Sequence, residues 1–323
     1  MPRLSNRRLV LTSLLCVAAT ACLALYLTSG SSNAVVPGSN GKIAFVREFP
    51  DRGDTFKVVA ANRKDTKEVV LAGPYHRDDF DEHFIANWSP NGRRVTFMVD
   101  QGIWLVRADG THLHKIFQGS RKVGMDDSPT FTPNGKHIVF PRCCKVGEGQ
   151  TLWKIKPDGT GLTRITREPA PPGGEGGFES TPQVSPNGRR IVFNRCAKAG
   201  CAITTVHING THRRRLTDPT KFGTRVPNWS PDSRRIVFTA AWSTGTHIMS
   251  IRRNGRGLKQ LTHGRKEFSS DASYAPNGKR IIFTHFTSKG RLDLFTMRPN
   301  GRDVARLTRT GSAEAYPQWA VAR

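Results

Sequence analysis

The side chains that could do chemistry in this chain are few and scattered. Ten histidines are present, and His83, His137, His247 and His285 fall at unlike places in what proves to be a repeat. Three of the ten follow a turn as Gly-Thr-His, at His112, His212 and His247, which reads as surface repetition. The chain holds no Gly-x-Ser-x-Gly, no His-Glu-x-x-His and no Cys-x-x-Cys. The nucleophile elbow of a hydrolase, the zinc pair of a metalloprotease and a redox dithiol are therefore missing. Cys196 and Cys201 flank Ala197-Lys198-Ala199-Gly200, a short hairpin that they could staple outside the cytoplasm. Cys143 and Cys144 are adjacent, and the sequence leaves open whether they bond to each other. A zinc site shared by these four is the weaker reading, because an exported chain would oxidise first.

One acidic pattern does recur. Glu82, Asp127, Glu179, Asp271 and Glu314 each stand a few residues ahead of a repeated aromatic position, and Arg225 takes that place in one copy. If the copies surround an axis, these six side chains ring its mouth and form a candidate ligand-binding set. Such a ring of oxygens could hold a hard cation such as Ca²⁺, or a basic peptide segment. Ordinary solvated loop acids are the plainer alternative. No catalytic residue, no resident metal and no other cofactor is expected.

The elements that position these residues are written in a repeated sentence, clearest at Pro227-Asn228-Trp229-Ser230-Pro231-Asp232-Ser233-Arg234-Arg235-Ile236-Val237-Phe238. Its prolines, Pro90, Pro133, Pro186, Pro231 and Pro276, are 43, 53, 45 and 45 residues apart. A period near 45 with short strands between turn signals is the mark of a propeller blade. Each copy reads as four strands. Strand A carries the aromatic position (Trp88, Phe131, Trp229, Tyr274, Trp319), strand B the Ile-Val-Phe run, strand C an alternating run, and strand D ends in Leu-Thr or Ile-Thr. The aromatic position reads as packing between blades. Strand B occurs six times, but the first copy, after Asn40-Gly41-Lys42, has no strand A ahead of it. Trp319 lies 45 residues after Tyr274, in phase with the repeat. The expectation is an all-β, six-bladed β-propeller whose C-terminal strand pairs with the N-terminal blade to close the ring. The blades lie near 40–72, 86–118, 129–167, 182–218, 227–263 and 273–309, with a closing strand at 316–321, in a single domain over 40–323.

These repeats resemble the TolB-type propeller repeat, Pro-x-Trp-Ser-Pro-Asp-Gly followed by Ile-Ala-Phe, over essentially all of 40–323. The resemblance implies an exported six-bladed propeller that binds other proteins of the cell envelope. Two departures stand out. The usual turn Asp is Asn at Asn91, Asn134, Asn187 and Asn277, a residue that tolerates such turns well. The separate α/β domain that precedes the propeller in a typical member has no room between Ala34 and Gly41.

Arg3, Arg7 and Arg8 precede an apolar run at residues 9–27 and small residues to Ala34. Residues 1–34 therefore read as an export leader, cleaved after Ala34 or kept as a membrane anchor. The propeller is expected outside the cytoplasmic membrane, periplasmic or on the cell surface, as a monomer. Lys and Arg total 50 against 25 acids, a net charge of +25. Strand order puts the A–B and C–D turns on one face. That face collects Arg93, Arg94, Arg189, Arg190, Arg213, Arg214, Arg215, Arg234, Arg235, Arg252, Arg253 and Arg280, against only Asp65, Glu68, Asp109, Asp158, Asp232 and Asp303. Anionic lipid or wall polymer is the expected partner of this face, and nucleic acid is not. The opposite face carries the long connections 73–85, 118–128 and 167–181, where a protein or peptide ligand is expected. The leading expectation is an exported, non-enzymatic binding scaffold. The alternatives are a propeller lyase or hydrolase acting on acidic polysaccharide, and an anchored sensor ectodomain.

Overall fold

The computed structural model describes residues 37–49, 55–62, 68–76, 85–119, 128–143, 149–167, 177–264, 268–288 and 290–322. Short β-branched and aromatic runs between Asn-Gly and Asp-Gly turns form strands, and no helix occurs among the described residues. In chain order the first blade holds β1 (Asn40–Phe49), β2 (Thr55–Ala61) and β3 (Val69–His76). The second holds β4 (Asn87–Trp88), β5 (Arg94–Val99), β6 (Gly102–Arg107) and β7 (His114–Gln118). The third holds β8 (Thr130–Phe131), β9 (Ile138–Arg142), β10 (Thr151–Ile155) and β11 (Thr163–Arg164). The fourth holds β12 (Phe178–Val184), β13 (Arg190–Ala197), β14 (Gly200–His207) and β15 (Arg214–Arg215). The fifth holds β16 (Gly223–Trp229), β17 (Arg235–Trp242), β18 (Gly245–Arg252) and β19 (Lys259–Gln260). The sixth holds β20 (Ser269–Tyr274), β21 (Ile281–Phe286), β22 (Leu292–Met297) and β23 (Ala305–Arg306), and β24 (Ala313–Val321) follows.

Each blade is a four-stranded antiparallel sheet, and the first is ordered β24-β1-β2-β3. The chain end thus supplies the innermost strand of the first blade, with Trp319 opposite Ile43 and Glu314 opposite Arg47. Closure in this way pairs the edge of β1 that would otherwise stand open.

The interior is a set of seams between blades. The third residue of each Ile-Val-Phe run (Phe45, Phe97, Phe140, Phe193, Phe238, Phe283) is buried to within 1 %. Trp229 packs with Val192, Ile203 and Leu216 of the preceding blade. Its indole N–H donates to the Gln183 carbonyl there, at 3.1 Å. Trp88 of the second blade does the same, donating to the Gln318 carbonyl on the C-terminal strand of the first at 3.2 Å. Ile43, Phe45 and Trp319 of the first blade pack against Ala275, Ile282 and Leu294 of the sixth.

The outermost strands are shorter than the repeat suggests, because the Leu-Thr ending lies beyond them. Thr166, Thr217, Thr262 and Thr308 each accept a hydrogen bond through Oγ1 from a strand-C amide, at 2.8–3.0 Å. The threonine hydroxyl thus replaces a backbone partner where the fourth strand has ended.

Removing residues 315–323 takes Trp319 out of the last seam and exposes the β1 edge that β24 had paired. The expected result is a fall in melting temperature of the whole domain, costing more than the roughly 3–5 kcal/mol of one large core truncation. Differential scanning calorimetry checks it, and an unchanged transition would contradict a closed ring.

Candidate functional site

The two faces differ in how their loops are held. On the turn face, in ten tight turns of the described residues, a side-chain oxygen caps the turn by accepting the backbone N–H two residues on. Asn91, Asn134, Asn187, Asp232 and Asn277 do this in the A–B turns, bonding Arg93, Lys136, Arg189, Arg234 and Lys279 at 2.9–3.1 Å. Asp109, Asp158, Asn209, Asn254 and Asn300 do it in the C–D turns, at 2.9–3.2 Å. The three Asp caps are spent on their own turns, and Asp109 and Asp158 are held below the usual carboxylate range by their Thr111 and Thr160 hydrogen bonds. Glycine is required after the C–D cap for two reasons. Gly210 has φ +86, and a Cβ on it would collide with the Ile165 carbonyl oxygen of the neighbouring blade.

The basic side chains sort unevenly. Arg93, Arg94, Arg189, Arg214, Arg215, Arg234, Arg252 and Arg253 are exposed, and Arg190, Arg235 and Arg280 half-buried. Arg189, Arg190, Arg253 and His207 line a cleft of about 410 Å³ between the fourth and fifth blades. His207 stacks on His212 at 4.5 Å there, and desolvation together with the charges of Arg190 and His212 lowers its pKa. Arg213 has another use. Its guanidinium turns into the blade, 2.6 Å from Glu179, over the ring of Phe193.

The six residues assigned to the channel mouth do not share one setting. Glu82 and Asp127 lie outside the described residues. Glu179 and Glu314 are wholly buried rather than solvated. Glu179 meets Arg213, the Leu152 amide at 3.2 Å and the Thr166 hydroxyl. Glu314 meets Arg47, which also forks onto Glu68 with both bonds at 2.7 Å. Burial opposes the Arg47 charge, but the Glu68 bond and the Glu314 field raise its pKa. A third pair, Arg306 with buried Asp293, has no counterpart in the sequence reading. Among the described residues no three His, Cys, Asp or Glu side chains are grouped to hold a metal. Beyond the His207–His212 stack, the described histidines form no group of three. His285 bonds Ser269, which is wholly buried, and His247 is not a surface repeat but is packed under Trp242.

Asp271 sits in a backbone feature that the sequence did not disclose. Ser128, Val226, Asp271 and Tyr316, each three residues ahead of the aromatic position, and Thr181, as far ahead of Val184 at the same place in its blade, adopt φ between 47° and 57°. The amide at this bulge donates to a threonine of the preceding blade: Asp271 to Thr239 Oγ1 at 3.1 Å, Tyr316 to Thr284 Oγ1 at 3.3 Å. Burial pushes the Asp271 carboxyl up to about 6, against the opposing pull of Ser270, Arg225 and Thr284. A carboxyl raised in the folded state stabilises below its unfolded value, and that contribution is lost as pH rises through about 6. D271N should therefore be more stable than the parent near pH 7.5, by about 2–3 kcal/mol from the size of the shift. The gain should vanish near pH 4. Urea unfolding at the two pH values checks it.

On the loop face, Cys196 and Cys201 are joined by a disulfide across the β13–β14 hairpin, and Cys144 lies outside the described residues. Two large aromatics are exposed on this side, Phe178 at 41 % and Trp242 at 36 %. Trp242 rests on Phe222, ring centres 5.2 Å apart. Neither was singled out from the sequence, since both fall outside the repeated sentence.

A family model described as the TolB beta propeller domain matches residues 76–272 and 180–322. Among solved structures, TolB from Acinetobacter baumannii is 17 % identical, with a TM-score of 0.70, covering all of this chain and 75 % of that one. The nidogen/laminin complex gives 14 % identity and a TM-score of 0.63 over 87 % and 98 % of the two chains. An oligogalacturonate lyase in complex with manganese gives 11 % and 0.53 over 84 % and 74 %. No curated protein matches. At such identities the structural likeness carries the fold and no activity. The family model, which spans most of the chain, carries more: this protein belongs to the TolB beta propeller domain family.

Proposed function

We propose that this protein is an exported, non-catalytic scaffold of the cell envelope. Its loop face grips a protein or peptide and its turn face meets an anionic surface. The observation that carries the reading is the separation of turn chemistry from charge. Seven of the ten capped turns use neutral Asn where Asp would serve equally well. Seven negative charges are thereby kept off a face rich in arginine, and polyanions are attracted to such a field. The loop face has the other character. Phe178 and Trp242 are the rigid, exposed aromatic anchors that protein interfaces favour, beside a hairpin held by Cys196–Cys201. The leader at 1–34 supports a place outside the cytoplasmic membrane.

The test uses the full chain, the F178A/W242A variant and the N91D/N134D/N187D/N277D variant, each mixed with envelope extract at low and moderate salt. A discrete protein should survive moderate salt on the parent and the Asn-to-Asp variant and be lost from F178A/W242A. Anionic material should bind at low salt and fall away as salt rises, and bind least to the Asn-to-Asp variant. That variant should keep its caps and melt within about 0.5 kcal/mol of the parent. Retention of nothing at either salt would overturn the scaffold reading.

A further inference from the structure

In each blade, one residue stands just ahead of the outermost strand, where the chain leaves the C–D turn. In order these are Glu68, Leu113, Leu162, Arg213, Leu258 and Val304. The two charged ones, partly exposed themselves, pair with buried partners, Glu68 with Arg47 and Arg213 with Glu179. The four aliphatic ones stay in solvent, exposed by 41, 37, 46 and 55 %. A single exposed leucine needs no explanation. Four at one repeated position, set among the arginines of one face, do. A soluble polyanion would require the charge alone. Aliphatic side chains between cations suit a surface with phosphates outside and hydrocarbon beneath.

The path of the chain points the same way. The Gly38 amide donates to the Pro276 carbonyl at 3.2 Å, and the Asn277 amide to Asn40 Oδ1 at 3.2 Å. Both partners belong to an A–B turn, so the chain enters the propeller on the turn face. Only residues 28–39 separate that entry from the apolar run at 9–27, a reach of at most about 40 Å. We propose that the turn face lies on an anionic bilayer, with Leu113, Leu162, Leu258 and Val304 seated among the headgroups and the neighbouring arginines on lipid phosphates. The proposal rests on the reading of the turn face given above and names its partner.

Hydrogen exchange on the full chain tests it, because the readout is local and does not depend on how residues 1–34 behave. The probes are vesicles of phosphatidylcholine alone, vesicles with one part in about three phosphatidylglycerol, and soluble polyphosphate. The expected result is protection of the segments around residues 113, 162, 258 and 304 by the phosphatidylglycerol vesicles and not by phosphatidylcholine. The L113S/L162S/L258S/V304S variant, with an unchanged melting temperature, should need about tenfold more anionic lipid for the same protection. Its response to polyphosphate should equal that of the parent. If parent and variant respond alike to anionic vesicles, or only polyphosphate protects, the lipid proposal fails while the basic-face reading stands. If neither anionic probe protects the turn face, both fall.

Discussion

Every feature of this molecule follows from one constraint. A four-stranded sheet of about 45 residues cannot bury either of its faces alone, so each blade is stable only against two neighbours. The apolar residues accordingly cluster across seams: Val192, Ile203 and Leu216 with Trp229, Ile236 and Phe238, and Val139 and Leu152 with Val184, Ile191 and Phe193. A chain of such seams has two ends unless the last meets the first. The Ile43–Trp319 pairing and the packing of Trp319 against the sixth blade turn an open stack into a ring. Polar contacts repeat the same logic. Indole donors, bulge amides and threonine hydroxyls are each satisfied by the blade next door or by the adjoining strand, so the backbone accounting closes only in the assembled ring.

The seams also explain where the carboxylates went. A ring needs register between blades as well as burial, and apolar contacts are tolerant of sliding. Glu179 of the fourth blade helps to fix it through the Leu152 amide and Thr166 hydroxyl of the third, and Glu314 of the first through the Thr310 hydroxyl that follows the sixth, while their arginine partners belong to their own blades. Each places a buried carboxylate against an arginine from an outer strand or an opposing one, with threonine hydroxyls supplying further donors. Breaking such a pair leaves a charge stranded and typically costs about 3–5 kcal/mol. These acids are therefore part of what holds the blades in place.

The architecture was legible in the sequence because its signals are local and repeated. Period, turn residues and the phase of Trp319 against Tyr274 are all one-dimensional. The site was less legible because its signals are not. Glu179 looks like a loop acid until Arg213, 34 residues later, is seen to fold back over Phe193. The left-handed bulge gave no cue, because Ser128, Thr181, Val226, Asp271 and Tyr316 share no chemistry. Val226, β-branched, is a poor choice for φ +47. Its conformation is imposed by the register shift between Arg225 and Asn228, a demand of the sheet that no propensity encodes. His247 misled for the opposite reason. Its Gly-Thr-His spelling matches His112 and His212, but it lies in β18 rather than after a C–D turn, and strand alternation drives it inward.

The turn face shows how a repeat can vary without loss of fold. A cap needs an acceptor oxygen two residues ahead of an amide, and Asn and Asp supply it equally, so the charge of that position is free to be set by something other than stability. The same holds for the residue ahead of each outer strand. At Glu68 and Arg213 it serves an interior ion pair. At Leu113, Leu162, Leu258 and Val304 it serves no contact that the ring requires, and a soluble surface would be expected to carry polar residues there. Positions on which the fold makes no demand, and which are nevertheless uncharged where acid would serve and apolar where polar would serve, record what the face has to meet.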